Sequence, residues 1–540
     1  MNHPNAVVPP QIVTGWRAAG LYTDETLADA CADAVSRWPD ARFVVSSATR
    51  PATITLREFH ALARRVAGGL RALGIRAGDP VAVQLPNWLE ALVAPAALAM
   101  LGAPIVPIVH SFGARELGFI LRQCGARAIV THGRWNGADR AEAAAEARAS
   151  LPPLHHVVVG ETGCAGTIGW DRLAASDPIE APAKVSAGDL ALILYTSGTT
   201  AAPKGACHDH RSLVAEMRSL IDPQRRVVLS PWPAGHIGGF AIMMRYWCGG
   251  NPMITLDQWN AGEAARLIAR YKVYATSGTP LHLGGILDAA ESEQLDLSSL
   301  KDFGAGATTV TPALIERCEK LGFTTYRAYG LTEHPTISWG NPTDPLHLRL
   351  NTDGPICRCV EVRIVDDAGR DVPIGEDGEI LSRGPDRFLG YFDPALDDAA
   401  FAPGGWLRTG DIGRLDGKGN IKITDRKKDV IIRGGETLSS REIEDVLSSH
   451  ANVREAAVVG MKDERYGERI CAFVRIVAPG DFTVEDAAAH FRALGVAKHK
   501  TPEKVVVIDD FPRTAAGKIR KEQLRAQINS PLPPAGEGQG

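Results

Sequence analysis

Tyr195-Thr196-Ser197-Gly198-Thr199-Thr200-Ala201-Ala202-Pro203-Lys204-Gly205 gathers hydroxyls, glycines and one lysine. It directly follows an apolar run, Leu190 to Leu194, that reads as a buried strand. Backbone N–H groups and hydroxyls in such a loop can wrap a polyphosphate, and the lysine can offset its charge. The spacing is not that of the common nucleotide loop, Gly-x-x-x-x-Gly-Lys-Ser/Thr opening a helix. Pro203 precedes Lys204 here and disfavours a helical entry. A polar surface turn would have the same composition.

Other stretches also carry chemistry. Tyr326-Arg327-Ala328-Tyr329-Gly330-Leu331-Thr332-Glu333 offers a ring face at Tyr329, a hydroxyl at Thr332 and a hard carboxylate oxygen at Glu333, the donor type magnesium prefers. Gly405-Trp406-Leu407-Arg408-Thr409-Gly410-Asp411 ends on a carboxylate able to accept two hydroxyl hydrogen bonds, although a turn aspartate is common. In Pro231-Trp232-Pro233-Ala234-Gly235-His236-Ile237-Gly238-Gly239-Phe240, glycines around His236 permit close approach of a ligand. Tyr274 to Pro280, with Thr279, and Phe303-Gly304-Ala305-Gly306-Ala307 read as strand ends, where glycines let a flat ring lie against backbone. His208-Asp209-His210 lacks a third metal ligand and reads as a polar loop opening a helix from Arg211 to Leu220. Cys357-x-Cys359 has no second pair at zinc spacing.

The elements that must position these groups alternate between helices and buried strands. Thr23 to Trp38 is helical in pattern; Thr55-x-x-Glu58 is a capping box opening a helix that Gly74 and Gly78 end. Val81 to Leu85 and Ala103 to Val109 read as strands, with a helix from Trp88 to Leu101, apolar on one side, between them. Such alternation implies parallel sheets with right-handed crossovers: an α/β fold. Further on, Asp416 to Asn420 is a hairpin turn before a strand at Ile421 to Thr424, and Asp425-Arg426-Lys427-Lys428-Asp429 is dense charge between two globular patterns. Ser439-x-x-Glu442 reads as a second capping box, Ala456 to Gly460 and Lys504 to Ile508 as strands, and Val484 to Leu494 as a helix, together a small α+β domain. The chain has 540 residues and a net charge of −4, with no basic excess that would suit nucleic acid and no apolar run long enough to span a membrane. Nine scattered cysteines and an N-terminus without a secretory pattern fit a cytoplasmic protein.

Together these motifs resemble the adenylate-forming superfamily of acyl-CoA synthetases, amino-acid adenylation domains and beetle luciferases. The chain is most similar to an acyl-CoA synthetase of the fatty-acid or cyclohexanecarboxylate–CoA ligase kind. Pro512-Arg513-Thr514-Ala515-Ala516-Gly517-Lys518 resembles its C-terminal Pro-x-Thr-x-x-Gly-Lys motif without departure. The phosphate loop departs at Ala201, where the family has glycine, and the small domain at Ser440, where it usually has proline. The resemblance implies a large N-terminal region of β-sheets flanked by helices, residues 1–427, a smaller mobile α+β C-terminal domain, 428–528, and a disordered tail, 529–540.

It also implies roles. Lys518, Glu333 and Thr196 would be catalytic, and Glu333 would hold Mg2+. ATP and AMP would be bound by Thr196, Ser197, Gly198, Thr199, Thr200, Lys204, Gly304, Ala305, Gly306, Tyr329, Thr332, Asp411, Arg426 and Lys518. His236, Gly239, Thr279, Gly304 and Gly330 would line the acyl pocket, Arg433, Gly434 and Gly435 the coenzyme A path, and Lys428 would be the hinge. The implied reaction joins a small-molecule carboxylic acid to ATP, releasing pyrophosphate, and then to coenzyme A, releasing AMP. Hydroxybenzoate-selecting ligases have Asn-Tyr after the pocket histidine. Ile237-Gly238 stands there in this chain, and an isoleucine cannot hydrogen-bond a ring hydroxyl. An aliphatic or alicyclic acid is therefore expected. Loading of an acyl carrier protein in place of coenzyme A, an amino-acid adenylation domain, and a non-catalytic nucleotide-binding protein are the alternatives.

Overall fold

The computed structural model describes residues 3–196, 203–306, 310, 312–433, 436–478, 480–514 and 517–529. Ser197, Gly198, Thr199, Thr200, Gly434 and Gly435 lie outside the described residues, as does 530–540. By internal contacts the chain divides into two units. One comprises Met1–Val310, Ile315–Arg363 and Leu381–Thr409; the other comprises Thr311–Leu314, Ile364–Ile380 and Gly410–Gly540.

Two eight-stranded sheets build the larger unit. In the first, Asp302–Gly306 lies between Ala275–Gly278 and Thr325–Leu331, all parallel, and the hairpin partner His334–Trp339 closes the edge antiparallel. In the second, Leu190–Thr196 runs parallel to Ile105–Pro107 and antiparallel to Lys204–Asp209, whose outer neighbour is the two-residue strand Gly390–Tyr391. Helices join the sheets: Glu90–Leu101 packs on Val81–Gln84 and Ile105–Pro107, Leu56–Ala72 packs on it, and Ile237–Trp247 packs on Leu56–Ala72 and Val228–Ser230. Both main sheets are thus α/β in construction, as the alternation implies.

Local signals explain the element ends, with corrections. Thr55 and Glu58 form the expected reciprocal box before Leu56–Ala72. The first long helix begins at Leu27, not Thr23, because Thr26 and Asp29 form a capping box of their own. The helix expected from Trp88 begins at Glu90 and is buried on every side rather than one. His208-Asp209-His210 is not a polar loop: Lys204–Asp209 is a strand, Asp209 caps His210–Ser219 through Ser212 N–H, and all three polar side chains are buried.

In the smaller unit, strands Val453–Asp463 and Gly467–Ile476 pair along their length, and Lys504–Val507 runs parallel to the second. Their strict alternation gives two cores. Val458, Ile470, Ala472 and Val474 face Ile443, Leu447 and Phe491; Val459, Cys471 and Phe473 face Phe511 and Leu524. The box expected at Ser439 is half formed: Ser439 accepts from Glu442 N–H, but the Glu442 carboxylate is taken by Lys500 at 2.5 Å. Asn529 closes the helix Lys521–Asn529 and accepts from Lys462 N–H at 2.7 Å.

Candidate active site

Thr196 and Lys204 sit directly opposite each other on antiparallel strands, and Thr196 Oγ1 donates to the Lys204 carbonyl at 3.5 Å. The strand ends on either side of the loop are therefore held in register by the sheet.

Glu333 stands on a β-hairpin. Leu331 pairs with His334, so Thr332 and Glu333 form its two-residue turn. A register shift between Tyr329 and Leu331 centres on Gly330, where an added Cβ would lie 1.9 Å from the Pro335 carbonyl oxygen. Only glycine permits that approach. Glu333 is buried, and Tyr391 Oη donates to its Oε1 at 2.6 Å. Phe388 N–H donates to its carbonyl at 2.8 Å. The Thr332 carbonyl accepts from His208 Nε2 at 2.9 Å; burial pushes the His208 imidazole down to about 4, so it stays neutral near pH 7. Further along, Thr336 donates its hydroxyl to buried Glu216 at 3.0 Å and its N–H to Asp386 at 3.3 Å.

On the neighbouring strand, the ring lying over Gly304 is that of Trp339: an added Cβ would meet it at 3.0 Å. Gly306 faces the Ala328 carbonyl in the same way, at 2.7 Å. Ala305, between them, is buried. Tyr329 pairs across the hairpin with Ser338.

His236 caps the helix Ile237–Trp247, its Nδ1 accepting from Gly238 N–H at 3.1 Å. Its ring stacks on Trp232, with centroids 5.6 Å apart. Buried Asn87 clamps this loop, donating to the Trp232 carbonyl and accepting from Ala234 N–H. Gly239 abuts the Pro233 carbonyl, where a Cβ would come within 2.0 Å. Trp232 in turn meets His282, which accepts from Thr279 N–H at 3.0 Å and is edge-on to Trp259 at 4.4 Å. Thr279 and His236 thus belong to one aromatic cluster, of which His282 and Trp259 were announced by no sequence motif.

In the smaller unit, Asp411 pairs across strands with Arg426, Nε to Oδ1 at 3.2 Å, and is buried while Arg426 is exposed. Lys428 reaches Glu522 at 3.4 Å. Arg433 is fixed by Glu503 at 2.8 Å and lies over the Tyr466 ring. Half-buried Lys518 is held by its backbone: its N–H donates to Thr514 Oγ1 and its carbonyl accepts from Thr514 N–H. Gly517, at φ +80°, makes that turn possible.

Sequence reasoning missed Tyr391 and His208 as supports of the hairpin. A Tyr after Gly carries no signal of its own, and both partners are distant in the chain. Among the described residues no cluster of three or more His, Cys, Asp or Glu could hold a metal ion, and no helix is long and apolar enough to cross a membrane.

The AMP-binding enzyme model matches residues 31–392, and the AMP-binding enzyme C-terminal domain model matches 442–518. The chain belongs to the AMP-binding enzyme family. It is 35% identical over 524 residues to a medium-chain fatty-acid–CoA ligase of Escherichia coli strain K12, covering 95% of this chain and 92% of that one. It is 32% identical over 538 residues to a salicyl-AMP ligase / salicyl-S-ArCP synthetase of Mycobacterium tuberculosis, covering 96% and 94%. Among solved structures it is similar to o-succinylbenzoate CoA synthetase from Bacillus subtilis in complex with the acyl-adenylate intermediate OSB-AMP. That match has a TM-score of 0.81 and 26% identity, covering 94% of this chain and 100% of that one.

Proposed function

We propose that this protein is an ATP-dependent, AMP-forming carboxylic acid–CoA ligase. The observation that carries the reading is the convergence of Lys204 and Glu333, from distant motifs, on the one side chain of Tyr391. A carboxylate is a poor electrophile because oxide would have to leave. Attack of the carboxylate oxygen on the α-phosphorus of ATP forms the C(O)O–P bond, breaks the bond to the β-phosphate and releases pyrophosphate. Coenzyme A thiolate then attacks the acyl carbon, and AMP leaves.

Lys204 and the hydroxyls from Thr196 to Thr200 offset phosphate charge, Asp411 with Arg426 takes the ribose, and Tyr329 the adenine. Lys518 bridges the carboxylate and α-phosphate oxygens, where one well-aimed donor supplies roughly 3–4 kcal/mol. Glu333 fits magnesium by its chemistry: a hard carboxylate on a fixed turn, one oxygen engaged by a tyrosine, suits an ion that binds through one or two carboxylates, waters and substrate phosphates. When bound, magnesium neutralises the leaving pyrophosphate. Between half-reactions the chain beyond Lys428 turns about that residue, withdrawing Lys518 and presenting Arg433 and the glycines 434 and 435 to the thiol. The domain boundary is placed there in this reading, with ATP and coenzyme A as co-substrates of a cytoplasmic enzyme.

The acid is aliphatic or alicyclic. Ile237 is buried beside His236, and the Trp232 Nε1–H is already spent on Ser277 Oγ at 3.0 Å, which leaves little to select a ring hydroxyl. The match to a salicyl-S-ArCP synthetase keeps a carrier-protein acceptor as the second reading.

Pyrophosphate release with magnesium and ATP, across a panel of carboxylic acids with and without coenzyme A, tests this. Release that rises with coenzyme A, with acyl-CoA detected by mass spectrometry, is expected. A single stoichiometric burst unchanged by coenzyme A would point to the carrier protein, and no release with any acid would refute the ligase.

A further inference from the structure

Tyr391 lies between two groups of the proposed chemistry without having been assigned any part in it. Its hydroxyl donates to Glu333 Oε1 at 2.6 Å, and the Lys204 ammonium lies 5.3 Å from its ring centroid. The segment around it is stitched to both sides. Phe388 N–H donates to the Glu333 carbonyl at 2.8 Å; Leu389 N–H donates to Cys207 and Phe392 N–H to Gly205, each at 2.7 Å. Five residues thus span from the carboxylate turn to the strand that carries Lys204.

The ring itself is fixed. Tyr391 N–H donates to Asp397 Oδ1 at 2.8 Å, and the Phe388 ring meets it edge-on at 5.1 Å. Gly390, at φ +146°, is pressed against the same aspartate; a Cβ there would lie 2.6 Å from its Oδ2. A phenol, with an ordinary pKa of about 10, is a donor at neutral pH. A phenol O–H that engages one carboxylate oxygen fixes the plane of the group and leaves the second oxygen to face a cation. An ammonium over the same ring gains cation–π attraction that holds it in place.

We propose that Tyr391 is a positioning residue for adenylate formation: its hydroxyl orients the Glu333 carboxylate toward the magnesium of bound ATP, and its ring face registers Lys204 on the same nucleotide. The proposal rests on the reading of Glu333 as the magnesium ligand.

The test compares Tyr391→Phe, Tyr391→Leu and Glu333→Gln in the full chain, after tryptophan fluorescence and melting confirm folding. Manganese is titrated by electron paramagnetic resonance in the presence of α,β-methylene ATP, and steady-state kinetics are run against magnesium, ATP and acid. Tyr391→Phe keeps the ring. It should weaken manganese affinity ~3- to 10-fold, as expected for one lost hydrogen bond, and leave KM for the acid unchanged. Tyr391→Leu should in addition raise KM for ATP, because the lysine loses its seat. Wild-type manganese affinity in Tyr391→Phe alongside weakened affinity in Glu333→Gln would overturn the proposal and leave the Glu333 reading standing. Wild-type affinity in both would overturn the two together.

Discussion

Glu216 offers a measurement whose size can be worked out in advance. The carboxyl is buried beneath the hairpin that bears Glu333, accepts from Thr336 Oγ1 at 3.0 Å and feels the charge of Asp386. Half-buried Arg245 and the Cys357 thiol are the other titratable groups facing it, and Asp386 in turn meets His334 at 3.2 Å. Burial first, and the Asp386 charge second, push Glu216 up to about 8 from 4.5. The folded state therefore holds a proton that the unfolded chain releases above its ordinary carboxylate range. Stability from this group is fully present below the unfolded value and is lost as pH rises toward about 8. One pKa unit is about 1.4 kcal/mol, so the wild type should lose on the order of 2–3 kcal/mol between about pH 5.5 and about pH 7.5 from this site.

Glu216→Gln keeps the shape and the acceptor and removes the proton. All ten tryptophans lie in the larger unit, so urea unfolding followed by tryptophan fluorescence reports on the unit that holds Glu216. The stability difference, wild type minus Glu216→Gln, should fall steadily across that pH range. A difference that is flat or rises with pH would show that Glu216 ionises normally in the folded state, and the account of the hairpin's support would be wrong.

Lys518→Ala should abolish pyrophosphate formation yet still convert a supplied acyl-adenylate to the thioester; equal loss of both half-reactions would refute its role. In the smaller unit, Lys521, whose side chain is 19% exposed, meets Glu444 at 2.6 Å and donates to Ser440 Oγ at 2.9 Å. Lys521→Met should destabilise that unit by about 3 kcal/mol, because it leaves a buried carboxylate unpaired. Lys521→Met with Glu444→Gln should recover most of the loss in calorimetry, and no recovery would show that the lysine acts by packing instead.

What could be read from the sequence divides along physical lines. The box at Thr55 and Glu58 is local chemistry and forms as read. Two further boxes, Thr26 with Asp29 and Thr483 with Asp486, escaped the Ser/Thr-x-x-Glu/Gln pattern because the shorter aspartate does the work of glutamate. Glu442 failed to close its box because Lys500, distant in sequence, competes for the carboxylate. The helix Glu90–Leu101 has no polar face because it packs on all sides, so periodicity could say nothing of its surroundings. His208-Asp209-His210 looked solvated because its partners, the Thr332 carbonyl, Ser212 N–H and Leu27 N–H, come mostly from elsewhere in the chain. Buried polar residues need partners, and sequence shows the residue without the partner.

The candidate site repeats this division. Lys204, Thr332 and Glu333 were legible because their types declare their chemistry. Their mutual placement was not, because neither motif contains it. Placement resides in the run from Phe388 to Phe392, whose backbone N–H groups measure the distance between the hairpin turn and the lysine strand. Its sequence is plain, since a ruler made of main-chain hydrogen bonds asks little of side chains. It asks only for a glycine where Asp397 crowds the backbone and an aromatic with a donor where the two charged groups meet. A family motif names the charges that would act on the nucleotide in the proposed reaction. The short strand between them makes those charges a site, because electrostatic stabilisation is effective only when its groups are already in place as charge develops.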